Sequence, residues 1–105
     1  MGQFSVHSNT DPATQEHFPL FIDIQNDLLS YMATRVVIPL TPRERLEYDF
    51  IPTLAPPITV EGRRYVLLAP QLMHLKASQL GPVVAELNAE RHDVLASVEM
   101  IFRGL

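Results

Sequence analysis

Residues 20–29, which read Leu-Phe-Ile-Asp-Ile-Gln-Asn-Asp-Leu-Leu, constrain the fold more than any other segment because their pattern changes halfway along. Leu20, Ile22 and Ile24 recur with a period of two, which is typical of a half-buried antiparallel strand. Asp23 would lie on the opposite, polar face, where ordinary solvation accounts for an aspartate. The first half of the segment therefore predicts a strand that packs one face on a core.

A turn is predicted where this strand ends. Asn26 and Asp27 favour it, because their side chains hydrogen-bond to nearby backbone and tolerate turn geometry. The turn leaves Leu28 and Leu29 as an apolar pair just beyond the strand. Such a pair is either covered by a loop or offered to a partner.

Four further segments have the pattern of strands. Glu61-Gly62 predicts a tight hairpin turn, because glycine adopts a positive φ without strain. Pro39 is expected to interrupt the pairing of its own strand. Residues 41–44 predict one helical turn, which an irregular segment rich in proline follows, and residues 71–80 slightly favour another strand. The predicted strands are residues 3–8, 35–40, 58–60 and 63–68.

The last twenty residues predict a helix, because apolar residues recur at spacings of three and four and only Arg91 interrupts them. The helix could start at Pro82 as its first residue or at Asn88 as its N-cap, and Asn88 is the better candidate. Glu90 then lies in the first turn, where the helix dipole favours an acidic residue. Gly104 supplies the usual left-handed stop. The apolar positions are Val84, Leu87, Val94, Leu95, Val98, Ile101 and Phe102.

The composition predicts a single domain, residues 1–105, with a core of ordinary size. The chain has no cysteine, which suits a reducing compartment, so the cytoplasm is expected. No signal-peptide pattern and no apolar run near the roughly 20 residues of a membrane span occur, so we expect no membrane association. The net charge is −4, with 8 basic and 12 acidic residues, and the basic residues are scattered. Contact with DNA is therefore expected only through another protein.

Patterns of catalytic, metal or cofactor sites are not found in the sequence. The four histidines are far apart, the glycines are isolated, and no serine lies in a nucleophile elbow. Asp23 and Asp27 could form a carboxylate pair, but solvation and backbone capping account for them better. Arg63 and Arg64 beside a hairpin turn are better explained as a solvated edge than as a basic groove. We therefore expect neither an enzyme nor a cofactor.

Four segments occur in the order and spacing of a known family. They read Phe-Ile-Asp-Ile-Gln-Asn-Asp-Leu-Leu at 21–29, Arg-Val-Val-Ile-Pro-Leu at 35–40, Val-Ala-Glu-Leu at 84–87 and Phe-Arg-Gly-Leu at 102–105. Together they resemble the CcdB family of toxins from toxin–antitoxin modules, over nearly the whole chain. The resemblance implies a mainly β fold with one C-terminal helix, namely an SH3-like barrel built as a curved antiparallel sheet plus a small accessory sheet, as in the MazF and Kid ribonuclease toxins.

The resemblance also implies a function and partners. Family members are homodimers that insert between the dimerisation arms of the A subunits of DNA gyrase and trap the enzyme on cleaved DNA. A CcdA-like antitoxin, with a disordered C-terminal segment that folds on binding, neutralises the toxin, and the two together repress their own operon. DNA contact is thus indirect, through gyrase or the antitoxin.

The resemblance carries the gyrase-binding role onto five residues. These are Leu28, Leu29, Phe102, Gly104 and Leu105. From the residues alone, Leu28, Leu29 and Phe102 are better explained as core.

Two positions depart from the pattern of the best-known family form. Arg103 stands where that form has Trp, and Glu99 stands where it has Asn. An arginine cannot repeat the stacking of a tryptophan on a gyrase arginine without like-charge repulsion. The resemblance therefore does not extend to full potency on gyrase.

Two other functions stay open. One is an endoribonuclease toxin on the related fold, which would need a basic groove and an acid–base pair. The other is a chromosomal homologue that binds antitoxin and acts only as a co-repressor. Gyrase-dependent DNA cleavage and RNA hydrolysis distinguish these functions.

Overall fold

The computed structural model describes residues 2–29, 31–46 and 50–104, and in these residues the chain forms seven β-strands and one α-helix. Short one-turn helices lie between several of the strands. None of the helices in the described part has the length and hydrophobicity needed to cross a lipid bilayer. The strands are β1 (Ser5–Asn9), β2 (Leu20–Asp23), β3 (Thr34–Pro42), β4 (Pro57–Val60), β5 (Arg63–Leu67), β6 (Met73–Lys76) and β7 (Leu80–Glu86), and the helix is α1 (Arg91–Arg103).

The strands form one curled antiparallel sheet in the order β4-β5-β3-β2-β1-β7. The long strand β3 pairs with β2 along one edge, and along its other edge it pairs first with β6 and then with β5. The hairpin β4–β5 is the accessory part, and β3 joins it to the rest. The expected fold class, mainly β with a curved antiparallel sheet and one C-terminal helix, is confirmed.

Pro39 lies where the second edge of β3 changes partner. Residues 34–37 pair with β6 and residues 40–42 pair with β5, so two positions between them pair with neither strand. Proline has no N–H to donate to a neighbouring strand, which suits this position. The predicted interruption near Pro39 is thus found on one edge, while the pairing with β2 continues past it.

The hairpin between β4 and β5 has the predicted tight turn. Glu61 and Gly62 both have positive φ, at 50° and 80°. A two-residue turn of this kind has the twist that neighbouring strands require. Nothing lies within 4 Å of the position that a Cβ on Gly62 would take, so the backbone conformation and not space favours glycine there.

The helical segment begins near the predicted start at Asn88, but Val84, which was counted in the apolar stripe of the helix, lies in a strand. Residues 80–86 form β7, which pairs with β1, and a one-turn helix at Asn88–Glu90 leads into α1. The β-branched pair Val83-Val84 fits an extended edge strand at least as well as a helix. The two strands β1 and β7 approach closely at Gly81, where an added Cβ would lie 2.6 Å from the carbonyl oxygen of Ser8. Pairing with β1 therefore decides the conformation of this segment.

The core lies inside the curl of the sheet, and α1 contributes little to it. Val94 and Ser97 are the residues of α1 that are buried, and Val98 packs on the core in part. The helix lies mainly on the one-turn helix at Ala69–Gln71. Most of α1 is therefore exposed. The fully buried aliphatic residues of the strands are Val6, Ile22, Val37, Ile38, Leu40 and Leu67.

Candidate functional site

The apolar pair beyond β2 is exposed. Leu28 and Leu29 lie in a one-turn helix at Asp27–Leu29, and 82% of Leu28 is accessible to solvent. The interpretation of these residues as core is therefore wrong. Large apolar side chains on a short ordered turn are typical of a protein-binding surface.

Two more apolar side chains extend this surface beyond the predicted pair. Tyr31 is 83% exposed, and Met32 is exposed as well. Both residues belong to the segment 30–34, whose sequence predicts no more than a short connection between strands. Exposure of these residues could have been predicted from the sequence, because the segment is rich in apolar residues but too short to form a strand or helix with a buried face. We call Leu28, Leu29, Tyr31 and Met32 the apolar turn.

Asp23 lies under the apolar turn and not on a solvated face. It is fully buried, and its Oδ2 lies 2.7 Å from Nε of Arg35, which is also buried. The expectation of ordinary solvation is wrong, because all four residues of β2 are buried and both faces of the strand are therefore covered. A buried charge requires a partner of opposite charge, and Arg35 in β3 supplies it.

Hydrogen bonds hold both ends of the one-turn helix at Asp27–Leu29, which forms the first part of the apolar turn. At its start, Oδ1 of Asp27 accepts the backbone N–H of Gln3 at 2.8 Å, and Oδ1 of Asn26 accepts that of Leu28 at 2.8 Å. At its end, the carbonyl oxygen of Leu29 accepts Nε2–H of Gln25 at 3.1 Å. The predicted bond to nearby backbone is confirmed at Asn26, whereas Asp27 binds the backbone of Gln3, which is distant in sequence.

The end of α1 carries the second group of predicted residues. Phe102 is 78% exposed, so its interpretation as core is also wrong. Gly104 has a φ of 73°, and its N–H donates to the carbonyl oxygen of Met100 at 2.9 Å, which is the predicted helix stop. Arg103 forms an ion pair with Glu99 one turn earlier. Leu105 lies outside the described residues.

A groove of about 410 Å³ runs along this end of α1. It is lined by Ala96, Glu99, Met100, Arg103 and Gly104. The two positions that depart from the family pattern are therefore on its wall and are paired with each other. The extensive contacts of α1 are with the one-turn helices at 69–71 and 88–90 and not with the turn at Asp27–Leu29. The two predicted groups thus occupy different elements of the chain.

The basic side chains near the β4–β5 hairpin have acidic partners. Arg63 donates to Oε1 of Glu44 at 2.6 Å, and Arg45 donates to Oε1 of Glu16 at 3.3 Å. The hydrogen bond from Arg63 holds the pKa of Glu44 below its usual value. All four side chains are largely exposed, which agrees with a solvated, charge-paired edge.

Groups able to hold a metal ion do not occur in the described ranges, where no three His, Asp or Glu side chains lie together. The side chains that the structure does assemble are an exposed apolar turn, a buried ion pair below it and an exposed helix end. These features can bind another macromolecule through apolar contacts.

Two comparisons with known proteins indicate the family and the fold of the chain. A family model described as CcdB protein matches residues 3–104. A solved structure described as an endoribonuclease in complex with its cognate antitoxin, from a Mycobacterial species, is similar in fold, with a TM-score of 0.75 and 18% sequence identity. The similarity covers 100% of this chain and 97% of that one. At this identity the second comparison shows the fold alone.

Proposed function

The chain belongs to the CcdB family of toxins from toxin–antitoxin modules, and on that premise we propose that it binds the A subunit of DNA gyrase and traps the cleaved gyrase–DNA complex. It acts by wedging into gyrase and not by catalysis. A CcdA-like antitoxin neutralises it in the cytoplasm, and toxin and antitoxin together repress their operon. The gyrase-binding residues are Leu28, Leu29, Phe102, Gly104 and Leu105.

The observation that carries this proposal is the exposure of the apolar turn, whose one-turn helix is held by hydrogen bonds at both ends. Binding sites concentrate their energy in a few large anchors that need little ordering. Leu28 and Phe102 have that character, since each is exposed over most of its surface. Tyr31 adds an aromatic anchor that the family pattern did not supply.

The two aspartates near the apolar turn also support a binding function over a catalytic one. Asp23 is bound to Arg35 inside the fold, so its carboxylate is not available to a substrate. Asp27 faces the backbone of Gln3. Both acids thus have structural partners, as expected for a turn that is a contact surface.

The proposal is tested by incubating the purified protein with gyrase and supercoiled plasmid, and separately with RNA. We expect linear plasmid with covalently bound gyrase, and intact RNA. The endoribonuclease alternative is favoured by the fold of the structural neighbour, and RNA hydrolysis without trapped gyrase would establish it. If the free protein carries out neither reaction but still binds the antitoxin, gyrase poisoning is excluded and the co-repressor alternative is favoured.

We predict that the protein is a stable homodimer. Leu95 and Ile101 on α1 are exposed in the single chain, as are Val83 and Val84 on the edge strand β7. A two-fold contact would bury such a surface, which one thin sheet cannot cover. Sedimentation equilibrium at micromolar concentration measures the mass directly. A mass of 11.9 kDa, that of one chain, would refute the dimer.

A further inference from the structure

Gln25 is a buried side chain that joins the sheet to the apolar turn. It is 7% exposed and follows β2 by two residues. Its Nε2 donates to the carbonyl oxygen of Leu29 at 3.1 Å, and its Oε1 accepts the backbone N–H of Val36 at 3.1 Å. One amide thus connects Leu29, the last residue of the one-turn helix, to the backbone of β3.

The backbone of Gln25 is itself held by the buried ion pair. Its N–H donates to Oδ1 of Asp23 at 2.9 Å, and its carbonyl oxygen accepts Nη2–H of Arg35 at 3.4 Å. The carboxylate of Asp23 therefore binds Arg35 with one oxygen and Gln25 with the other. This arrangement fixes the position from which the side chain of Gln25 reaches the turn.

The bond to Leu29 lies at the centre of the apolar turn. The same carbonyl oxygen also accepts the N–H of Met32 at 3.0 Å. Leu28 and Leu29 precede this oxygen along the chain, and Tyr31 and Met32 follow it. The orientation of a single carbonyl group therefore affects the direction of all four apolar side chains.

We propose that Gln25 is a positioning residue that sets the shape of the apolar turn for its partner. For the partner the inference rests on the proposed function, so the partner is the gyrase A subunit. A surface already ordered before binding does not lose side-chain and loop entropy on association. Without the bond from Gln25, the turn would have to be ordered by the partner, and affinity would fall.

The test is Gln25→Glu, measured at neutral pH. The substitution keeps the side-chain length and an oxygen for the N–H of Val36. It replaces the donor to Leu29 with a carboxylate oxygen that repels the carbonyl oxygen. We expect faster amide hydrogen exchange in residues 27–32 and gyrase A binding that is weaker by about tenfold or more.

Asn9→Asp is the matched control, because Asn9 makes the same kind of bond to a different loop. Its side chain is 6% exposed, and its Nδ2 donates to the carbonyl oxygen of Phe18 at 2.7 Å. Its Oδ1 accepts the N–H of Asp11 at 2.9 Å. The chemical change and the burial are therefore alike. We expect faster exchange in residues 10–18, a similar loss of stability in urea and unchanged gyrase A affinity.

Two results would overturn the inference. One is wild-type exchange in residues 27–32 of Gln25→Glu, and the other is an equal loss of gyrase A affinity in Asn9→Asp, which would show a general effect of stability. If Gln25→Glu does not fold, Gln25→Met is the alternative, because it removes both side-chain hydrogen bonds without adding charge. Wild-type exchange in residues 27–32 of Gln25→Met would then overturn the inference. If the wild-type protein does not bind gyrase A, the proposed function fails, while the exchange data still decide the role of Gln25.

Discussion

Replacing Asp23 with asparagine is expected to lower the free energy of unfolding by about 3–5 kcal/mol, because Arg35 would then lose the carboxylate that is buried with it. Asp27 is a weaker partner, since its Oδ1 lies 4.0 Å from Nη2 of Arg35 and its side chain is largely exposed. Both side chains are buried, and 2.7 Å separates Oδ2 of Asp23 from Nε of Arg35. Water cannot replace the lost carboxylate at this depth. Urea unfolding followed by circular dichroism measures the loss as a lower midpoint at unchanged slope.

Asp11→Asn is the control for this change. Oδ1 of Asp11 accepts the N–H of Ala13 at 3.0 Å in an exposed loop, so the same substitution should cost no more than about 0.5 kcal/mol. Replacing both Asp23 and Arg35 with apolar residues of similar volume should restore much of the stability, since no charge then remains buried. A loss below about 1 kcal/mol for Asp23→Asn would contradict the unpaired-charge explanation. A folded, dimeric Asp23→Asn protein that had lost a purified hydrolytic activity would instead assign Asp23 to catalysis.

Sequence patterns predicted correctly those elements whose conformation depends on a few neighbouring residues. Alternation over residues 20–24 predicted β2, and Glu61-Gly62 predicted the hairpin turn, because each depends on a few neighbouring residues. Gly104 predicted the end of α1 for the same reason. These elements need no information about what lies across the sheet.

The predictions were wrong where the conformation or burial of a residue depends on a segment that is distant in the sequence. Asp23 was placed on a solvated face, but β3 supplies Arg35 from twelve residues further along the chain. Val84 was counted in the apolar stripe of the helix, but β1 offers an open edge with which residues 80–86 pair. Neither outcome could be predicted from a pattern within the segment itself.

The candidate site shows the same division. Leu28 and Phe102 were identified through the family resemblance, and residue types alone favoured burial for both. Tyr31 and Met32 were missed, because the family pattern that was matched ends at residue 29 in this region. The role of Gln25 depends on bonds to Leu29 and Val36, which only the folded chain brings together.

Deleting residues 103–105 is expected to abolish gyrase poisoning while the protein stays folded. The deletion removes residues beyond most of the hydrogen bonds within α1, so the free energy of unfolding should fall by only about 1 kcal/mol. The described losses are the bond from the N–H of Gly104 to the carbonyl oxygen of Met100 and the exposed ion pair of Arg103 with Glu99. Antitoxin binding should largely survive, since much of that contact is proposed to lie on other surfaces of the dimer. Plasmid cleavage by gyrase, titrated with each protein, measures the effect.

Arg103→Ala is the control for the truncation, because it removes the ion pair with Glu99 and keeps the chain end. An exposed pair at this spacing contributes about 0.3–0.5 kcal/mol, so both stability and trapping should change little. A truncated protein that still trapped cleaved DNA at wild-type concentrations would show that the tail does not carry the function.

Arg103→Trp should act in the opposite direction and strengthen trapping. The position lines the groove at the end of α1 and is largely exposed, so an indole can be accommodated without repacking the core. Its aromatic face can stack on a cationic side chain of gyrase, an interaction of about 0.5–2 kcal/mol, which corresponds to up to roughly thirtyfold in affinity. The same plasmid titration should then reach half-maximal cleavage at a lower protein concentration than wild type. Equal or weaker trapping by Arg103→Trp would show that gyrase does not present a cation to this position, and the family's mode of binding at the helix end would not apply to this chain.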